Sequence, residues 1–316
     1  MQLGISITNF SWPAPPTEMA PTIARLARAA DDAGIDSIWT MDHFFQIPVV
    51  GLPPEDPMIE AFTTLTFIAS HTRRARLGTL VASVPYRHPG VLVKTATTVD
   101  VLSGGRLTFG VGAGAPSTAA ALAHEAGGLG IPFPSLAERF ERLEELLLIA
   151  RQMWSGDETP FEGGHYRLDR PMNSPNSLQR PHPPILVGGS GERRTLRLVA
   201  QYADACNLFD IPGSGYEDDL RHKLDVLRGH CDDVGRDPAS IEVTTATIFR
   251  PGSDARAGAR ELLGHLEELA AVGVDHAIVG PVAPWDDETL DAVAGIVDEA
   301  HALGDRPARS LSRPHT

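Results

Sequence analysis

The chain has 316 residues, 42% hydrophobic and 22% charged, an ordinary globular balance long enough to bury a large core without covalent staples. Lys and Arg number 27 against 41 Asp and Glu, for a net charge of −14; this argues against nucleic acid or an anionic membrane as partner, since both need a basic face. Cys206 and Cys231 are the two cysteines, which give no disulfide framework and no zinc spacing and read as reduced thiols.

The opening Met1-Gln2-Leu3-Gly4-Ile5 has no basic segment followed by a long apolar run. No stretch reaches the roughly 18 apolar residues of a spanning helix. A cytoplasmic protein is expected.

Apolar runs and amphipathic segments alternate along the chain. Residues 3–8 read as a strand and 20–33 as a helix, with Pro21 suited to its first turn and Gly34 stopping it. Residues 37–40 read as a strand, 58–71 as a helix, 76–83 as a strand, 90–102 as a helix and 107–111 as a strand. The rhythm then breaks. A stretch of small residues (113–130) precedes a strong helix at 136–154, a hairpin near 161–168 and an irregular Pro, Asn and Ser segment at 171–184. It resumes with strands at 185–187, 205–208, 241–249 and 276–279. Helices are expected between and after them at 193–202, 217–233, 257–271 and 289–303. Eight strand-helix units imply one (β/α)8 barrel over residues 1–304, with an insertion at about 113–184 between strands 4 and 5. The tail, 305–316, should be frayed.

In such a barrel the site forms where strands end and helices begin. Strand 2 runs into Asp42-His43. A His at that rim can exchange a proton near neutral pH, and the adjacent Asp can fix its surroundings, although a packing or capping His would look the same. Strand 4 ends Gly110-Val111-Gly112-Ala113-Gly114, where glycines let backbone approach a flat ligand or a phosphate. It fits a dinucleotide fingerprint only in degenerate form. Strand 5 ends Val187-Gly188-Gly189-Ser190-Gly191 ahead of Arg193 and Arg194. That is an anion cradle at a helix N-terminus, or else a tight turn. No metal motif, serine-hydrolase elbow or nucleotide P-loop is present, so no metal is expected.

In this order, several stretches resemble the luciferase-like monooxygenase superfamily and, within it, the coenzyme F420-dependent oxidoreductases. They are Trp39-Thr40-Met41-Asp42-His43-Phe44, Leu77-Gly78-Thr79, Tyr86-Arg87-His88-Pro89, Asp100-Val101-Leu102-Ser103-Gly104-Gly105-Arg106 and Gly130-Ile131-Pro132-Phe133. Further on come Gln179-Arg180-Pro181-His182-Pro183-Pro184 and Gly188-Gly189-Ser190-Gly191-Glu192-Arg193. The resemblance implies a (β/α)8 barrel with the ring of F420 at its C-terminal end. His43 and Asp42 would lie by the ring as catalytic residues. A bulge with a non-prolyl cis peptide would fall near Leu80–Val81. Cofactor contacts would come from Leu80, Val81, Ala82 and Ser83, from Gly112, Ala113 and Gly114, and from Val187, Gly188, Gly189, Ser190 and Gly191. It further implies hydride transfer with a small-molecule substrate and a homodimer through barrel helices. The alternative is an FMN-dependent monooxygenase that uses dioxygen and a partner reductase. One departure stands out: sugar-phosphate dehydrogenases of this branch carry a Glu after the strand-4 glycines, and Ala115 stands there.

Overall fold

Along each inner strand, side chains alternate between the helices outside and the barrel axis inside, which fixes the register of the whole sheet. This computed structural model describes residues 1–47, 52–114, 120–211, 216–217 and 219–304. The strands are β1 (Gln2–Ile7), β2 (Ser37–Thr40), β3 (Arg76–Thr79), β4 (Ala82–Ser83), β5 (Leu107–Gly112), β6 (Phe161–Glu162), β7 (Arg167–Leu168), β8 (Ile185–Gly188), β9 (Ala205–Ile211), β10 (Tyr216–Glu217), β11 (Glu242–Phe249) and β12 (His276–Pro281). The helices are α1 (Met19–Asp32), α2 (Ala61–Ala69), α3 (Pro89–Ser103), α4 (Ala120–Gly128), α5 (Leu136–Ser155), α6 (Thr195–Tyr202), α7 (Leu220–Val234), α8 (Ala255–Val272), α9 (Asp287–Ala294) and α10 (Val297–Gly304).

Parallel pairing runs β1-β2-β3/β4-β5-β8-β9-β11-β12, and β12 pairs back with β1 to close an eight-stranded barrel. The barrel is tied at its N-terminal end by a repeated device. Asp36, Asp204 and Asp275 each precede a strand, and each carboxylate accepts the N–H of a residue at the start of the preceding barrel strand. The bonds, to Leu3, Ile185 and Val243, are all 2.8 Å. A main-chain donor at the sheet's end, which would otherwise need water, is satisfied in each case.

The large apolar core lies between strands and helices. Inside the barrel is a small cluster of Trp39, Leu186, Ala205 and Ile278, against which Leu80 and Val81 pack. Trp39 fits because Gly78 faces it: a Cβ there would stand 2.2 Å from the ring.

Elements differ from the sequence expectation at several places, among them β10, which stands where a helix was expected to begin at 217. The strand foreseen at 76–83 is broken into β3 and β4 by a cis peptide between Leu80 and Val81, at the position the resemblance implied. The stretch of small residues holds helix α4. The last helix is two, α9 and α10, parted at Gly295. The 305–316 tail lies outside the described residues. Among the described residues no helix is long and apolar enough to cross a membrane.

Gly78→Ala should destabilise the fold by about 1–3 kcal/mol, because the new methyl meets a buried indole with nowhere to move. Urea unfolding followed by far-UV circular dichroism measures this; an unchanged midpoint would show that Trp39 can turn aside.

Candidate active site at the barrel mouth

β2 delivers Asp42 and His43 to the C-terminal rim. Consecutive residues of an extended chain project to opposite sides, and these two have separate partners. Asp42 is 2% exposed. Its carboxylate takes both arms of Arg87, at 2.7 and 2.8 Å, and the Ser83 N–H at 3.0 Å. Arg87 also reaches Glu60 Oε1 at 2.5 Å, and Glu60 caps α2 by accepting from the Thr63 N–H. Burial alone would lower the Arg87 pKa, but its bonds to Asp42 raise it above the ordinary arginine range. Asp42 thus ties the end of β2 to β4 and to the turn ahead of α3.

The carboxylate that meets His43 is Glu125, on α4. Its side chain is 1% exposed, that of His43 18%. His43 Nδ1 lies 2.9 Å from Glu125 Oε2. The same carboxylate accepts from the Tyr86 hydroxyl at 2.6 Å, from the Phe45 N–H at 3.2 Å and from the Phe44 N–H. Burial works to raise its pKa, but the hydrogen bonds from His43, Tyr86 and Phe44 outweigh it and hold the carboxyl below the ordinary value of 4.5. Tyr86 is pushed well above the usual phenol range, first by burial and then by Glu125, so it donates and stays neutral. With Nδ1–H donated to an anion, the lone pair of the neutral imidazole sits on Nε2. Among the described residues Nε2 has no protein partner, so it is free to exchange a proton with a ligand.

Beside this pair Leu80 and Val81 form a half-buried shelf. Val81 wedges between two glycines. A Cβ on Gly112 would come 2.8 Å from its side chain, and one on Gly188 would come 2.7 Å. Ala82 and Ser83 are buried and pair with Val111 and Gly112. The Ala113–Gly114 corner is held by the fully buried Arg139, which donates to the Ala113 carbonyl at 2.8 Å and lies 4.2 Å over the Phe133 ring. Gly114 has a φ of +77°, which an L side chain rarely adopts. Val187 and Gly188 belong to β8, and Gly189, at φ +112°, donates its N–H to the Asn207 carbonyl. Among the described residues the N–H groups of Ser190 and Gly191 make no bond within the protein, as an anion-holding turn before a helix requires. Ala115 lies outside the described residues.

The luciferase-like monooxygenase family model matches residues 1–315. The chain belongs to that family. A curated relative, the F420-dependent glucose-6-phosphate dehydrogenase of Kineococcus radiotolerans, is 31% identical over 230 residues, 70% of this chain and 61% of the relative; the chain thus spans about three-fifths of that protein's length. Two solved structures share the fold. An F420-dependent secondary alcohol dehydrogenase in complex with an F420–acetone adduct superposes with a TM-score of 0.77 at 17% identity, over 95% of this chain and 98% of that one. The coenzyme F420-dependent tetrahydromethanopterin reductase of Methanopyrus kandleri gives 0.71 at 17%, over 94% and 98%.

Sequence reasoning placed His43 at the rim and missed Glu125. A lone Glu in a run of Ala and Gly carries no sign of burial. Tyr86 and Arg87 belonged to a quoted motif, but nothing in it revealed their partners.

Two outcomes follow from this geometry. Arg87→Leu should cost about 3–5 kcal/mol, since it strands the buried Asp42 charge, and adding Asp42→Asn should recover part of the loss; urea midpoints of the two variants decide. The Glu125 and Glu60 carboxyls ionise below their ordinary value of 4.5 in the folded state. Their contribution is therefore complete above the unfolded-state pKa and is lost as pH falls through the folded-state value, below about pH 4.5. The thermal midpoint of wild type should drop in that window, and that of Glu125→Gln should drop less steeply.

Proposed function

We propose that the protein transfers a hydride between coenzyme F420 and a small, partly apolar organic substrate, with His43 exchanging the accompanying proton. The observation that carries this reading is the pairing of His43 Nδ1 with buried Glu125 at the barrel mouth, beside a shelf and a glycine turn of the kind a deazaflavin needs. The family and the names of the relatives support the choice of cofactor.

The residues fit the group. The half-exposed Leu80–Val81 shelf offers a flat apolar support for a ring. Ser190 and Gly191 offer free amides to a phosphate ahead of α6, and the Ala113–Gly114 corner would border the ring. When bound, the deazaflavin supplies or accepts the hydride. The protein's part is different. Glu125 fixes the His43 ring and its tautomer, while Nε2 takes the proton from an alcohol or delivers one to a reduced product. Asp42 holds the strand that carries His43. Phe44 and Phe45, half buried beside it, shape an apolar entrance.

A homodimer belongs to the same reading. On α3, Val91 and Leu102 are 59% and 61% exposed and, eleven residues apart, share one helix face. Sedimentation equilibrium tests it.

The deciding experiment is fluorescence titration of the purified protein with F420 and with FMN. Tight F420 binding that is lost in Gly189→Asp supports the cofactor and the glycine turn. Preference for FMN with oxygen-dependent turnover would move the reading to a monooxygenase. With a substrate in hand, His43→Ala should lower kcat by about 10²- to 10⁴-fold with F420 binding retained, and Glu125→Gln by about 10- to 100-fold. Wild-type turnover in His43→Ala would overturn the assignment.

A further inference from the structure

A second polar constellation lies deep inside the barrel, below the mouth. Trp39 Nε1 is 2.6 Å from Ser37 Oγ. Ser37 Oγ is 2.8 Å from His276 Nε2. His276 Nδ1 is 3.1 Å from Glu242 Oε1. Ser37, Trp39 and His276 are at most 3% exposed, whereas Glu242, at the N-terminal end of β11, reaches solvent with a side chain 38% exposed.

For a neutral His276, the chemistry of these groups sets the direction of every bond. An indole N–H donates only, so Ser37 Oγ accepts from Trp39. The single Ser37 hydrogen then goes to His276 Nε2, which must be the unprotonated nitrogen. The imidazole proton therefore sits on Nδ1 and is donated to the Glu242 carboxylate. An anion ends the chain, and each link polarises the next. Arg76 stands near Glu242 and donates to Thr108 Oγ1 at 3.0 and 3.2 Å. The arrangement needs room that only glycine leaves: a Cβ on Gly4 would lie 2.1 Å from Ser37 Oγ and 2.9 Å from His276 Nε2.

Ser, His and Glu in this order form the connectivity of a nucleophilic triad. Here the serine is fully buried and its oxygen is occupied by Trp39, so attack on a substrate is closed to it. What the chain can control is the indole. Trp39 packs in one cluster with Leu80 and Val81, and Gly78 lets the ring lie against β3. The indole therefore lies in the cluster that Leu80 and Val81 rest on.

We propose that Ser37, His276 and Glu242 are positioning residues that lock Trp39 from below and so hold the Leu80–Val81 shelf at the level the cofactor ring requires. This rests on the cofactor reading above for what lies on the shelf, but not for the relay itself.

The test therefore has one arm in the protein without added cofactor. The indole N–H signals of the four tryptophans are recorded by 15N NMR, and Trp39 is assigned with Trp39→Phe. Ser37→Ala and His276→Ala should move the Trp39 signal upfield. His276→Gln, whose amide oxygen takes the place of Nε2, should restore most of its position. The second arm is F420 titration. The dissociation constant should rise about 10-fold in Ser37→Ala and His276→Ala, the scale on which groups behind a binding residue act, and should return toward wild type in His276→Gln. A merely structural role would lower stability without this rescue pattern.

An unmoved Trp39 signal in Ser37→Ala overturns the relay. A moved signal with wild-type F420 affinity overturns its link to the shelf. If Ser37→Ala does not fold, the His276→Ala and His276→Gln pair decides by the same criteria, and identical signals in the two overturn the proposal. Failure of wild type to bind F420 overturns the cofactor reading and the shelf's link to it, while the NMR arm still judges the relay.

Discussion

One buried carboxylate organises the mouth of this barrel. Glu125 arrives on α4, from the excursion between the fourth and fifth barrel strands, and collects His43, Tyr86 and the amides of Phe44 and Phe45. A charge so deeply placed survives only when its lone pairs are all engaged. Satisfying Glu125 therefore draws three pieces of chain together: the turn after β2, the turn after β4 and the insertion. The insertion is not a decoration on a finished barrel. It supplies the group that fixes the orientation of the His43 imidazole.

The barrel itself was legible because its signals are local. Alternating apolar runs and amphipathic segments at regular spacing give the strands and helices, and their count gives closure. Where expectation and structure part, the cause is tertiary. Residues 76–83 read as one strand because Leu77, Thr79, Leu80 and Val81 suit a strand, yet the strand breaks at Leu80–Val81. Residues 289–303 read as one helix because Gly295 is tolerated within a helical pattern, yet the axis turns there. Among the site residues, His43 was visible from its place after a strand. The adjacent Asp42 was read as fixing its surroundings; in the structure Asp42 bonds Arg87 and Ser83, and neighbours in extended backbone face opposite ways. Glu125, 82 residues further along the chain, cannot be found by spacing.

The glycines show the same limit. In the sequence they read as places where a ligand approaches the backbone. In the structure, Gly78 makes room for Trp39. Gly112 and Gly188 make room for Val81, and a Cβ on Gly110 would stand 1.9 Å from the Thr79 carbonyl. Absence of a side chain is required either way, so composition cannot separate a surface shaped for a ligand from a packing solution. Here the two coincide: the glycines that admit Val81 and Trp39 into the axis also lift an apolar shelf to the mouth.

The missing acid at Ala115 bears on the chemistry. Position 115 lies outside the described residues. Glu125 instead approaches His43 from the Nδ1 side, and with four donors on it there is no lone pair to spare for a substrate. It orients His43; it does not exchange protons with what binds. On the proposed reading, proton exchange then falls to His43 Nε2. A single exchanging group matches a reaction in which one proton accompanies one hydride, such as the interconversion of an alcohol and a carbonyl.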